Sequence, residues 1–283
     1  MTVAITGASG ALGRATAELV LRAVDPREVV LTTRTPDALA DLAALGADVR
    51  RADFGDPSTL RTAFAGVERL LLVSTDAVGA RLDQQRAAVA AAAGAGVRHV
   101  AYTSVPEPVP ANPALVVPDH AGTEQALRDS GLRWTMLRNN LYAHMQVSTI
   151  EQAAAAGRLV TNAGSGAAAY VTREDCAAVA AAVLTQDGHE NVAYDVTGPA
   201  ALTAADLAAL AGAEGVDVEP VDDDTFRAGL LGAGLPAEAA DVVTSFGAAI
   251  RGGFAARVTS TVADLTGRAP TALGDVLAGA YSR

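Results

Sequence analysis

The chain has no lysine, so all 21 of its basic residues are arginine. It has a single cysteine, Cys176, which excludes a disulfide framework and a cysteine-based metal site. Aromatic residues make up only 4% of the chain, so each tyrosine near a site counts. No apolar run reaches the roughly 18 residues of a membrane span, and the first residues read as a strand rather than a signal peptide. A soluble, cytoplasmic protein with no membrane partner is expected. Basic stripes are missing too: the net charge of −11 argues against a nucleic-acid surface, which needs clustered positive charge. Asp222-Asp223-Asp224 is too short for an acidic tail and reads as a helix start. There is no internal repeat and no low-complexity linker beyond an alanine bias.

What is present allows one large domain or a domain with a smaller lobe, since 283 residues suffice for either. Half of the residues are hydrophobic, many of them alanine, so the core is built from small side chains. The segment that organises the rest is the N-terminal one. Val3-Ala4-Ile5-Thr6 has the apolar, β-branched character of a central parallel strand. It runs straight into Gly7-Ala8-Ser9-Gly10-Ala11-Leu12-Gly13, and helical spacing (Leu12, Ala15, Leu19) continues to Arg22. Gly7 permits the tight turn, Gly10 lets a pyrophosphate approach the backbone, and Gly13 lets helix and strand pack closely. The helix N-terminus then offers unpaired N–H groups and a partial positive charge. Strand, glycine turn and helix in this order predict a dinucleotide site.

The second strand, Glu28–Arg34, ends about 20 residues past the last glycine, where an acidic side chain would grip a ribose 2′-hydroxyl. Thr32, Thr33 and Arg34 stand there instead. A guanidinium suits a 2′-phosphate by charge and by its fork of donors, which favours NADP(H) over NAD(H). Four further strands follow at Ala47–Ala52, Val67–Thr75, Val97–Ser104 and Leu132–Leu137. Helices are expected at Asp37–Leu45, Ser58–Phe64, Asp83–Ala93 and Asp119–Ser130. This alternation predicts an α/β fold: a Rossmann-like, doubly wound parallel sheet with a smaller, mainly helical C-terminal substrate lobe. Residues 1–142 would form the NAD(P)-binding domain and 143–283 the smaller lobe. Short strands near 170–172 and 192–197 would return to the first domain.

Ligands of such sheets bind at the carboxyl ends of the strands. Ser74, Thr75, Tyr102, Thr103 and Ser104 lie there by topology. Asp53 and Phe54 follow the third strand; Asp53 could accept from an adenine amino group or cap a turn. Val105–Pro118, with five prolines, is a loop over the site. Gly157–Ala169 is turn-rich. Thr172 with Asp175, and Thr203 with Asp206, fit capping boxes that start helices.

The stretches GASGALG, TRTPD, RADFGDPSTL, LLLVST, HVAYTS, DHAGTEQALRDSG and LRNNLY, in this order, resemble the NmrA-like atypical short-chain dehydrogenases. The likeness is to the members that reduce quinones and triphenylmethane dyes with NADPH. LVTNAGSG, YVTRED, LTQDGHENVAYDV and LTGRAPTAL extend it over essentially the whole chain. The resemblance implies that Gly7, Gly10, Gly13 and Arg34 hold the NADP phosphates, with Ser9, Ala11 and Leu12 supplying nearby backbone. It also implies that Thr75 and Asn139 lie along the cofactor. Tyr142, Tyr170 and Thr172 would border the nicotinamide and the substrate.

Standard short-chain dehydrogenases use a tyrosine whose pKa, ordinarily about 10, is lowered by a lysine four residues on. Without lysine that pair cannot form. The corresponding helix offers His120 and Glu124, spaced to share a face. His120 is either a general acid near neutral pH or an exposed helix-start residue tied to Asp119 or Glu124. His99 reads as structural, and His144 and His189 read as surface residues. The candidate catalytic residues are thus His120, Tyr142 and Tyr170. A site poor in acids suits acceptors that tolerate hydride arriving first, so hydride transfer from NADPH to a quinone-like planar acceptor is expected. The alternatives are a non-catalytic NADP(H) sensor of the NmrA type and another extended short-chain enzyme, such as an epimerase or enone reductase. A homodimer through the helical tail is compatible with the sequence.

Overall fold

In the computed structural model, which describes residues 1–77, 79–212 and 215–281, β1 (Val3–Ile5) has no exposed surface on any of its three residues. A parallel strand covered by helices on both faces has no polar side, hence the continuous apolar run. The chain then alternates through α1 (Ala11–Ala23), β2 (Val29–Thr33), α2 (Ala40–Ala44), β3 (Asp48–Arg51), α3 (Ser58–Ala63) and β4 (Arg69–Leu72). It continues through α4 (Arg81–Gly94), β5 (His99–Ser104), α5 (Val117–Asp129) and β6 (Arg133–Asn139). The later elements are α6 (His144–Ala156), β7 (Arg158–Thr161), β8 (Ala167–Ala168), α7 (Arg173–Thr185) and β9 (Val192–Val196). After them come β10 (Leu202–Thr203), α8 (Ala204–Leu210), β11 (Asp217–Pro220), α9 (Asp223–Gly232), α10 (Ala237–Arg251), α11 (Thr261–Thr266) and α12 (Leu273–Tyr281).

Among the described residues the main sheet has seven parallel strands in the order β3-β2-β1-β4-β5-β6-β9. Ile5 pairs with Leu31 on one side and Leu71 on the other. The order reverses between β1 and β4, and this switch point leaves a crevice at the carboxyl ends of the strands. One face of the sheet packs on α1, α7 and α11 through Leu12, Val20, Val179, Val183 and Val262. Alanines in both helices (Ala17, Ala177, Ala180) let α1 and α7 lie close together. The other face packs on α3, α4 and α5 through Leu60, Phe64, Val89 and Leu127. A third buried set (Ile150, Leu159, Leu207, Ile250, Leu273 and Leu277) belongs to the smaller C-terminal helical region.

Several boundaries differ from the sequence reading. β4 stops at Leu72, so Val73, Ser74 and Thr75 run as loop over the crevice. α4 starts at Arg81, which puts that arginine in the first turn rather than before it. Residues 170–172 form no strand; Val171 makes only a single bridge, to Tyr142. The turn-rich stretch from Gly157 instead contains β7 and β8, which pair with β11 and β10. Such two-stranded ribbons are too short for a periodic pattern. The Thr203–Asp206 capping box is complete. At Thr172 only half of it forms: Thr172 Oγ1 accepts from Asp175 N (3.0 Å), while the Asp175 carboxylate accepts from Thr271 N (2.8 Å). Asp222 caps α9 by accepting from Thr225 N (2.7 Å).

Candidate functional site

The glycine turn builds the first half of the site. Gly7 has φ +59°, the left-handed region that favours glycine. A Cβ on Gly13 would stand 2.3 Å from the Gly7 carbonyl oxygen, so α1 can approach the turn only without one. Ser9 Oγ lies 2.8 Å from Thr33 Oγ1 and Ala8 N donates to Thr32 O (3.0 Å), which fixes the turn against the end of β2. Val73 N donates to Thr6 Oγ1 (2.9 Å) and Ser74 N to Thr103 Oγ1 (2.8 Å), which ties the loop after β4 to β1 and β5.

These segments enclose a cleft of about 570 Å³. Its lining includes Gly7, Ser9, Gly10, Ala11, Leu12, Gly13, Arg34, Asp53, Phe54, Ser74 and Thr75. Gly10 caps α1 without a side-chain bond, and no acidic residue occupies the first turn, so the N–H groups there are free for an anion. Thr32 Oγ1, also in the lining, is buried with no hydrogen-bond partner among the described residues. Arg34 is exposed and, among the described residues, has no ion pair. Asp53 Oδ1 accepts from Gly55 N (2.9 Å), so Asp53 shapes the turn even as it faces the cleft. The donor-rich, uncapped cradle and the free cation fit a dinucleotide phosphate chain.

A second cavity of about 240 Å³ adjoins the first, and Ser74, Arg81, Thr103 and Tyr142 line both. Its walls are largely apolar: Val105, Pro106, Ala114 and Val116 from the proline-rich loop, Leu141 and Met145 beyond β6, and Phe246 and Phe254 from α10 and the turn after it. Asn112 shapes the loop by donating to Pro106 O (3.2 Å) and Glu107 O (3.1 Å). Leu115 N donates to Ser245 Oγ (3.1 Å), fastening the loop to α10. Asn139 belongs to this cavity rather than to the first, and its Oδ1 is buried with no partner among the described residues. Sequence reasoning missed Arg81, Met145, Phe246 and Phe254. The aromatic residues among them were detectable only as two of the chain's few phenylalanines.

His120 is only 4% exposed and lines the second cavity. Its Nδ1 lies 2.7 Å from the Tyr102 hydroxyl and its Nε2 lies 3.5 Å from Arg81 Nη1. Burial, then the Arg81 charge, pushes the imidazole down to about 3. It is therefore held neutral at physiological pH, and its burial corrects its reading as an exposed helix-start residue. The expected tie to Glu124 is absent because that carboxylate is taken. Ser104 Oγ donates to it (2.8 Å), as do Arg128 Nη2 (2.8 Å) and Arg138 through Nε (3.0 Å) and Nη2 (2.8 Å).

The tyrosines separate. Tyr142 is half-buried, lines both cavities and has the Arg173 guanidinium 5.6 Å from its ring centre; burial raises its pKa. Tyr102 lines neither: it is fully buried, with its hydroxyl 2.8 Å from Gln85 Oε1. Tyr170 also lines neither cavity. It packs in the C-terminal core, where burial pushes its hydroxyl up to about 12. The residue that reaches the cleft from this side of the molecule is Arg173, three positions on. His99 starts β5 on the opposite edge of the sheet, bonded to Thr135 Oγ1 (2.8 Å). His189 is buried rather than superficial, with Nδ1 2.9 Å from the Tyr194 hydroxyl. His144 is half-buried against Tyr142.

A family model described as NAD(P)H-binding matches residues 7–187. The sequence is 39% identical over 175 residues to Quinone oxidoreductase 2 of Escherichia coli (strain K12). That alignment covers 62% of this chain and 61% of that protein, so it spans less than two thirds of the relative's length. By structure, the fold is similar to the Escherichia coli NADPH-dependent quinone oxidoreductase complexed with NADPH (34% identity, TM-score 0.94, 99% of this chain and 100% of that one). It is also similar to the Citrobacter sp. triphenylmethane reductase complexed with NADP(H) (31% identity, TM-score 0.90, 99% and 100%).

Proposed function

Since the chain belongs to the NAD(P)H-binding family, we propose that it is an NADPH-dependent oxidoreductase whose acceptor is a quinone-like, planar conjugated molecule. One observation carries this reading: a phosphate-cradling cleft opens directly into an apolar cavity, with Ser74, Arg81, Thr103 and Tyr142 shared between them. When bound, NADPH would supply a hydride, and a quinone taking it would become a hydroquinone anion that gains a proton from solvent. The first turn of α1 would hold the pyrophosphate, and Arg34 the 2′-phosphate. Asp53 and Phe54 would hold the adenosine end, and Ser74 and Thr75 the part nearer the junction. The apolar walls exclude water and hold a flat ring beside Tyr142, so that proximity and orientation do most of the catalysis.

No residue at the junction is a ready proton donor. His120 is neutral, burial raises the Tyr142 phenol, and without lysine the chain has no Tyr–Lys pair. An acceptor whose reduced form is a resonance-stabilised anion needs no donor in the transition state. The test is oxidation of NADPH, with NADH as control, against benzoquinone, menadione, a triphenylmethane dye and a simple enone. Turnover of the quinones in preference to the enone is expected. Tight NADPH binding with no oxidation in any mixture would end the reductase reading and leave a redox sensor.

A further inference from the structure

Arg81 is a buried cation without a counter-ion. It is 7% exposed, and among the described residues it makes no ion pair. Two less deeply buried arginines, by contrast, are matched: Arg69 pairs with Asp187 and Arg138 with Glu124. Arg81 spends Nε on the Thr75 carbonyl (2.5 Å) and points Nη1 toward His120 Nε2, 3.5 Å away. A guanidinium removed from water and left unpaired is costly, so the position calls for an anion from outside the chain. Both cavities reach it.

The hydrogen bonds behind His120 decide what its Nε2 carries. With Gln85 Oε1 turned to Tyr102 (2.8 Å) and Thr123 (2.6 Å), the buried Gln85 Nε2 has no partner among the described residues. The single Thr123 hydroxyl proton must also serve the Asp119 carbonyl (2.8 Å). Exchanging the amide oxygen and nitrogen of Gln85 resolves both conflicts. Nε2 then donates to Tyr102 and Thr123, Thr123 donates to Asp119 alone, and only a carbonyl oxygen stays unbonded, the milder defect. Tyr102 must now donate to His120 Nδ1, which leaves the imidazole proton on Nε2. Two N–H donors, Arg81 Nη1 and His120 Nε2, thus stand side by side at the cavity wall. They cannot bond to each other, but one oxygen can accept from both.

We propose that Arg81 and His120 form an oxyanion cradle for a conjugated carbonyl acceptor, such as a quinone or enone, whose oxygen accepts from both. This deepens the reductase reading and rests on it. As hydride adds with its electron pair, the π electrons of the acceptor move onto that oxygen, and the new negative charge becomes the missing partner of Arg81. No bond to Arg81 or His120 forms or breaks, and solvent later protonates the product. The cradle favours acceptors that become phenolates or enolates. It gives nothing to a cationic dye, which becomes neutral.

The test uses para-nitrophenol as a stand-in for the reduced acceptor, bound to the protein with NADP⁺ and titrated by its visible absorbance. The wild type should favour the bound phenolate over the phenol by about tenfold or more. Arg81→Met should abolish the preference, Arg81→Lys should keep part of it, and His120→Phe should reduce it. A wild-type protein that binds the probe with unshifted ionisation overturns the cradle whether or not any variant folds. In turnover, Arg81→Met should lose on the order of 10²-fold in kcat with menadione and little with a triphenylmethane dye. Equal losses with both acceptors, or a matching rise in the Kd for NADPH, would assign Arg81 to holding Thr75 and overturn the proposal. If no acceptor is reduced but the Arg81-dependent probe shift is present, the cradle stands and the reductase reading fails.

Discussion

Arg34, at the tip of β2, faces the first cleft with its guanidinium unpaired among the described residues, so its removal should be felt by the phosphate it meets rather than by the fold. Arg34→Ala is expected to raise KM for NADPH on the order of 10- to 100-fold, leave KM for NADH nearly unchanged and preserve the thermal midpoint. Steady-state kinetics with both nucleotides checks this; equal effects on the two would place the 2′-phosphate elsewhere. Residues of this kind are legible in sequence because their position follows from local geometry. Gly7 needs a positive φ, Gly13 needs the absence of a Cβ, and a strand tip is found by counting. His120, Tyr102 and Tyr170 were not legible in the same way. The spacing of His120 to Glu124 is a true helical neighbour relation, but Arg138 arrives from β6 and claims the carboxylate. Arg81 matters because no described residue forms an ion pair with it, and no sequence pattern records a missing partner.

At the scale of elements, most strands of the main sheet were readable as apolar runs, and their ends were off by up to three residues where loops bend over the crevice. The substrate wall was not readable. It is assembled from the proline-rich loop, the segment after β6 and α10, which are distant in sequence and joined by contacts such as that of Leu115 with Ser245. α10 itself looks like an ordinary amphipathic helix, and only its packing shows that Phe246 faces the cavity. Phe246→Ala should therefore raise KM for menadione by roughly 10-fold, the worth of one aromatic contact, without changing KM for NADPH. Tyr170→Phe serves as the contrast. Its ring packs in the C-terminal core away from both cavities, so both constants should stay at wild-type values.

For the whole molecule, the two most strongly shifted of the buried histidines set an acid limit. Burial pushes His99 down to about 4 and His120 down to about 3, against about 6.5 in the unfolded chain. Between pH 6.5 and those folded values the unfolded state binds more protons, so stability is complete above pH 6.5 and falls as the pH drops. Near pH 5 the two rings together should cost roughly 2 to 3 kcal/mol per pH unit. Urea midpoints at pH 7.5, 6 and 5 should decline accordingly, and His99→Gln should flatten the decline by about half. A constant midpoint would mean that both rings are solvated, and half the decline that one is.

β9 and α7, which complete one edge and one face of the main sheet, come late in the chain. During synthesis on the ribosome, β1 and α1 emerge first, yet the partners of Leu12 and Val20 include Val179, Val183 and, later still, Val262. The nascent N-terminal half therefore waits with a greasy face uncovered and β6 as an open edge. Its first-made segment is among the last to be sealed, so a chain cut short before β9 would expose the surfaces that drive aggregation, and yield in the cell would depend on prompt completion of translation.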